Sequence, residues 1–148
     1  MKIRNYQPGD EQQQAAIYNQ AAAELPKFKP ATSEEVRRRT RAKDFDPGTR
    51  FYAEDGGQVV GYCGFHANGR LSHPWVLTGH SSAAGPLFQA AMDAMWARKM
   101  PLAFAAYRGD WQGVGEFFLA QGFRQAREMV NFVVDTVDMP TADRKSVV

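Results

Sequence analysis

The sequence predicts a mixed α/β fold, and three observations predict it. Two turn signals, Asp55-Gly56-Gly57 and Asn68-Gly69, separate three short strand-like runs, the pattern of an antiparallel meander. Beyond the meander, a helical stripe and an apolar run alternate twice, as expected where a crossover helix joins parallel strands. Before it lie one short strand and two helical segments. The predicted order is β-α-α-β-β-β-α-β-α-β, an α/β (α+β) arrangement of a mixed sheet with helices on its faces.

Residues 2–6 read as the first strand, and Pro8-Gly9-Asp10 as a turn whose aspartate is suited to cap a helix. Ile17, Tyr18, Ala21, Ala22 and Leu25 then recur at helical spacing until Pro26 and Pro30 end the run. A second helix opens where Thr32 and Glu35 match a capping box. It carries Arg37, Arg38, Arg39 and Arg41 but a single strong core residue, Val36, so it is thinly anchored.

Strands are expected over residues 50–54, 58–66 and 71–78. Pro74 lies inside the last of these and donates no ladder hydrogen bond, so that strand should be irregular or unpaired on one side. Residues 79–85 form a loop that feeds a helix from near Pro86, with Leu87, Phe88, Ala91, Met92 and Met95 as its buried stripe. An apolar strand is expected over residues 102–107 and a weak helix over 111–120, capped by Asp110 and closed by Gly122. A last strand runs from about residue 124 to 137.

Composition bounds the chemistry. A length of 148 residues with 44% hydrophobic side chains suits one domain, taken as residues 1–139 with a tail over 140–148. A formal charge of +2 is too small to imply a nucleic-acid partner. No apolar run approaches the roughly 18 residues of a membrane span, and the start lacks a signal-peptide core, so no membrane association and a cytoplasmic location are expected. Cys63 is the sole cysteine and the histidines number three, which excludes a disulfide or cysteine cage and argues against a zinc site. A site is expected where the strand over 71–78 hands over to the next helix, because the start of a helix presents free N–H groups that suit phosphate.

In this arrangement the chain resembles the GNAT N-acetyltransferase superfamily over almost its whole length. Ile3-Arg4-x-Tyr6-x-Pro8-x-Asp10 resembles the family's first strand and turn. Phe117-Phe118-Leu119-Ala120-Gln121-Gly122-Phe123 resembles the aromatic pair and Gly-Phe that end its fourth helix. The resemblance implies acetyl-coenzyme A as acyl donor, bound between the strands over 71–78 and 102–107, which should part from each other. Pantetheine would pair with backbone of Val76, Leu77 and Thr78, and pyrophosphate with the loop containing Ser81, Ser82, Ala83, Ala84 and Gly85.

Three departures accompany it. The family's pyrophosphate loop usually opens on Arg or Gln, whereas residues 79–85 lack either and the loop is about two residues short. Phe118 stands where many members carry a tyrosine that protonates the leaving thiolate. Little sequence beyond residues 134–139 is left for the family's seventh strand, so six strands are expected.

Acetyl transfer needs a deprotonated amine, donors toward the thioester carbonyl and an acid for the thiolate. Tyr107, at the end of its strand, is the candidate acid; otherwise it is an amphipathic strand-end residue. His73 and Glu54 are candidate bases on neighbouring strands, against a packed histidine and an exposed hairpin carboxylate. His80 would contact phosphate or solvent, and Cys63 is read as packing. The basic helix would attract an acidic acceptor or the adenosine phosphates, or be a solvated face. The activity implied is N-acetylation of a small-molecule or peptide amine by direct transfer, and the alternative is an idle acyl-coenzyme A-binding or structural domain. An unfinished sheet edge would need covering, for which a homodimer is one means.

Overall fold

Backbone hydrogen bonding sorts the strands into two sheets. The computed structural model describes residues 1–125 and 131–135. They divide into two compact units: Met1–Gly64 with Pro74–Ala91, and Phe65–His73 with the chain from Met92 onward.

In the first unit, β1 (Lys2–Asn5), β2 (Arg50–Asp55), β3 (Gln58–Gly64) and β4 (Trp75–Val76) form an antiparallel sheet in that order. Gly56 and Gly57, at φ +60° and +82°, make the two-residue turn between β2 and β3, since only that left-handed geometry matches the twist of a tight hairpin. Helix α1 (Asp10–Ala21) begins one residue earlier than capping by Asp10 would require. Gly9, at φ +102°, occupies the capping position, and Asp10 is the first helical residue. The Asp10 carboxylate instead accepts the Gln7 N–H at 2.8 Å and two Arg4 N–H groups at 2.9 Å.

Helix α2 (Ser33–Thr40) starts as the capping signal requires, with Thr32 Oγ1 accepting the Glu35 N–H at 3.1 Å. Val36 is its one buried residue. Burying that side chain is worth about 1.5–3 kcal/mol, and the hydrogen bond from Thr40 Oγ1 to Glu11 adds about 1 kcal/mol. The helix is as thinly anchored as its sequence indicates. Ile17, Tyr52, Val60, Cys63 and Leu87 form the core of this unit, with Tyr52 donating to Gln14 Oε1 at 2.6 Å.

Residues 71–78 do not form one strand. In the second unit Leu71 bridges Phe65 antiparallel, Arg70 bridges Phe104 in parallel, and the Leu71 N–H donates to the Phe104 carbonyl at 2.7 Å. Regular pairing stops at Ser72-His73-Pro74, where proline has no N–H to give, and resumes in the first unit as the two residues of β4. The parallel contact expected of a crossover is the Arg70–Phe104 bridge.

The second sheet has the order β5-β7-β6, with β5 (Leu102–Ala106), β6 (Arg124–Gln125) and β7 (Asn131–Asp135) antiparallel. The single strand expected over 124–137 is therefore two strands, Arg124 pairing with Val133, and the described residues hold seven strands rather than six. Arg124 and Gln125 are both polar and exposed, so no apolar alternation ties them to the apolar run at Phe132-Val133-Val134. The tail over 140–148 lies outside the described residues.

Helix α3 (Ala84–Ala97) starts two residues ahead of Pro86, continuing a 3₁₀ turn over Ser81–Ala83, and its stripe Leu87, Phe88, Ala91, Met92 and Met95 is buried. Trp111, not Asp110, precedes α4 (Gln112–Ala120); Asp110 instead accepts two hydrogen bonds from Arg108 at 2.9 Å. Gly122, at φ +91°, ends α4 in a Schellman arrangement, the Phe123 N–H reaching the Phe118 carbonyl and the Gly122 N–H that of Leu119.

Candidate functional site

The edge of the first sheet is β4, and its hydrogen bonds are unevenly distributed. The Leu77 N–H donates to the Val60 carbonyl at 2.9 Å, and the register sets Val76 opposite Gly61 and Trp75 opposite Tyr62. In an antiparallel ladder successive residues turn their polar groups toward and away from the partner. Val76 therefore directs its N–H and C=O away from β3. Gly61 permits this packing: a Cβ there would stand 2.8 Å from Val76 Cγ1 and 2.9 Å from Leu87 Cδ1.

Past β4, the Thr78 N–H is taken by Gln20 Oε1 of α1 at 2.8 Å. Gly79, at φ +86°, turns the chain, and the His80 N–H returns to the Leu77 carbonyl at 3.0 Å. His80 Nδ1 lies 3.7 Å from Asp55 Oδ2. Ser81, Ser82 and Gly85 are exposed while Ala83 is buried. A Cβ at Gly79 or Gly85 would meet no atom within 4 Å, so the backbone here is approachable. The Ala83 N–H donates to the His80 carbonyl and the Ala84 N–H to that of Ser81. The backbone N–H groups of the exposed Ser81 and Ser82 are therefore the ones that fit an anionic, phosphate-like group.

Glu54 lies in the first unit and accepts the Arg4 Nε–H at 2.5 Å. Arg4 in turn clasps Asp10, so the Glu54 carboxylate is one end of an ion-pair chain that ties β1, β2 and α1 together.

The second unit brings Tyr107 and His73 together. Tyr107 follows β5 directly, and its hydroxyl oxygen accepts the His73 backbone N–H at 2.8 Å. The Tyr107 ring stacks on Trp111 at 5.8 Å and Phe118 at 6.0 Å between centroids. The His73 ring stands edge-on to Phe117 at 5.0 Å, and burial pushes its pKa down to about 4, so the imidazole is neutral near pH 7. Phe118 is fully buried.

No protein-family profile and no curated protein matches this sequence. Solved structures do. An acetyltransferase of the GNAT family from Staphylococcus aureus Mu50 is similar at TM-score 0.73 and 11% identity, over 91% of this chain and 98% of that one. The Salmonella typhimurium protein yncA, solved with its cofactor acetyl-CoA, is similar at TM-score 0.71 and 14% identity, over 95% and 96%. Aminoglycoside 6′-acetyltransferase type Ii is similar at TM-score 0.69 and 13% identity, over 95% and 100%. The fold is that of the GNAT N-acetyltransferases.

Within this GNAT fold, Val76, Leu77, Thr78, Ser81, Ser82, Ala83, Ala84, Gly85 and Glu54 lie in the first unit, and His73 and Tyr107 in the second. Three neighbours of these residues escape sequence reasoning. Gln20 reaches Thr78 from 58 residues away, and no local signal announces it. Asp55 stands beside His80, although its Asp-Gly-Gly context marks only a turn. Arg4 holds Glu54, for which its place in the Ile3-Arg4-x-Tyr6 opening was the one available hint.

Proposed function

We propose that this chain is an acetyl-coenzyme A-dependent N-acetyltransferase that passes the acetyl group directly to an amine of a small molecule or peptide. One observation carries it: the outward-turned backbone of Val76 leads within a few residues into the exposed start of the helical run at Ser81. An amide-bearing chain such as pantetheine docks on a strand edge as another strand would, and a pyrophosphate suits the N–H groups that follow. The GNAT fold, and acetyl-CoA in the yncA structure, support the same assignment.

In this reading Val76 supplies the pairing edge, while Leu77 and Thr78 hold it in place through Val60 and Gln20. The phosphates lie along the loop from Ser81 to Gly85 and are held by the N–H groups of Ser81 and Ser82, since those of Ala83 and Ala84 donate to the His80 and Ser81 carbonyls. Bound there, acetyl-coenzyme A supplies the acetyl group as a thioester. Tyr107 is assigned as the acid that donates to the departing sulfur, and the N–H it accepts from His73 makes its O–H a stronger donor. His73, with its ring pushed down to about 4, is a weak base near pH 7, and Glu54 is engaged by Arg4. The amine is therefore taken to arrive as the neutral free base. Its nitrogen bonds to the acetyl carbon as the C–S bond breaks, the one proton it sheds passes to water, and Tyr107 regains its proton from water.

Phe118 favours a second reading, an idle acyl-coenzyme A-binding domain, because the buried phenyl ring offers no proton at that position. Calorimetry with acetyl-CoA, followed by thiol release over a panel of amines, separates the two. Binding with turnover is expected, and Tyr107→Phe should lower kcat by about a hundredfold with acetyl-CoA affinity retained. Binding without thiol release from any amine favours the idle domain. No binding at millimolar acetyl-CoA refutes both.

A further inference from the structure

The first unit contains a cavity of about 410 Å³ that shares no residue with β4 or the loop after it. Its walls come from the β1–α1 turn and from α2, and include Tyr6, Gly9, Glu11, Gln12, Arg37 and Arg41. We propose that this cavity binds a small molecule through an oxyanion group, a phosphate or carboxylate, held by Arg37 and Arg41.

Arg37 and Arg41 are four residues apart along α2 and its C-terminal cap, which puts both side chains on one helix face. Both line the cavity. Arg37 Nη2 makes one hydrogen bond to Ser33 Oγ at 3.2 Å and a long contact to Glu34 at 3.5 Å, leaving most of the five guanidinium N–H groups for a ligand. Among the described residues, the Arg41 guanidinium and the Gln12 carboxamide have no hydrogen-bond or ion-pair partner. Two guanidinium forks and an amide facing one hollow match the oxygens of a phosphate or carboxylate.

The one carboxylate in the wall does not compete. Glu11 Oε1 accepts the Gly9 N–H at 2.9 Å, and Oε2 accepts the hydroxyls of Tyr6 at 2.8 Å and Thr40 at 2.9 Å. Burial acts to raise its pKa, but hydrogen bonds, from its own backbone N–H first and then from Tyr6, Thr40 and Gly9, overcome that and hold it below its ordinary value. Glu11 is thus a satisfied anion in the first turn of α1, and the arginines remain the unmatched charge. The volume falls within the range of about 300–1,000 Å³ typical of small-molecule sites, so the oxyanion is one part of a larger ligand. An anion joining Arg37 and Arg41 to Gln12 would also fasten α2 to α1, where Val36 and the Thr40–Glu11 hydrogen bond now hold it.

Thermal melting and calorimetry of the full chain with sodium phosphate, with citrate, and with sodium chloride at matched ionic strength test the site. A saturable rise in Tm with phosphate or citrate, absent with chloride, is expected. Response to phosphate alone assigns a phosphate group, and response to citrate alone a carboxylate. Arg41→Gln and Arg37→Gln should each weaken binding about tenfold or more. Arg38→Gln removes the same charge from α2 outside the cavity and should change affinity by less than about twofold. No saturable response, an equal response to chloride, or an Arg38→Gln loss matching that of Arg41→Gln overturns the proposal. Melting of each variant without added anion separates lost binding from lost folding.

Discussion

Acidification should weaken this fold through His73, by an amount the structure sets. Packing against Phe117 and Phe118 removes water from the ring and pushes its pKa from the ordinary 6.5 down to about 4. Between those values the unfolded chain binds a proton that the folded chain refuses. Stability therefore falls as pH drops from about 6.5 to about 4, and the contribution is level outside that window. Each tenfold difference in proton affinity between the folded and unfolded chain is worth about 1.4 kcal/mol. The full loss is then at most about 3.5 kcal/mol, a large share of the roughly 5–15 kcal/mol that holds a domain together. Urea unfolding of the native chain and of His73→Phe, at several pH values from about 7.5 to about 4, isolates the effect. Phenylalanine keeps a ring in the aromatic cluster and keeps the backbone N–H that Tyr107 accepts, but takes up no proton. Carboxylate contributions are common to both proteins and cancel in the difference. The stability gap should move in favour of His73→Phe by about 2–3 kcal/mol across the window. Parallel pH profiles would refute the assignment of a proton-refusing ring.

Val76→Pro removes an N–H that is turned away from β3, so the ladder bonds of β4 should survive and the melting temperature stay within a few degrees. Acetyl-CoA affinity by calorimetry should drop about tenfold, and unchanged affinity would count against Val76 as the pairing edge. Gly69→Ala sets a methyl group against the Leu102 carbonyl, at a residue whose φ is +97°. It should cost about 2–4 kcal/mol by urea unfolding, and a loss below about 0.5 kcal/mol would show that the turn relaxes.

Much of the fold was legible because its determinants are local. The Gly56-Gly57 turn, the Thr32 cap on α2, the buried stripe of α3 and the Gly122 ending of α4 each depend on residues within one or two turns of chain. Pro74 announced the break in its strand for the same reason, since its missing N–H is a covalent fact. Capping by Asp10 and Asp110 was legible only as a capacity. Each carboxylate found an arginine, Arg4 or Arg108, and the charge-assisted pair holds it where it caps no N–H of its own helix.

The sequence by itself determined the element order, the turns, the buried stripes and the GNAT-like plan. Tertiary structure decided what the candidate site residues are doing. Glu54 is engaged by Arg4 from 50 residues away, the Tyr107 hydroxyl by His73 from 34, and the Thr78 N–H by Gln20 from 58. The division of the last strand into β6 and β7 was likewise settled by pairing. The physical reason is common to all four. A turn or cap is satisfied by its own neighbours, whereas a charge, a hydroxyl or a strand edge is satisfied by whatever group the fold brings beside it.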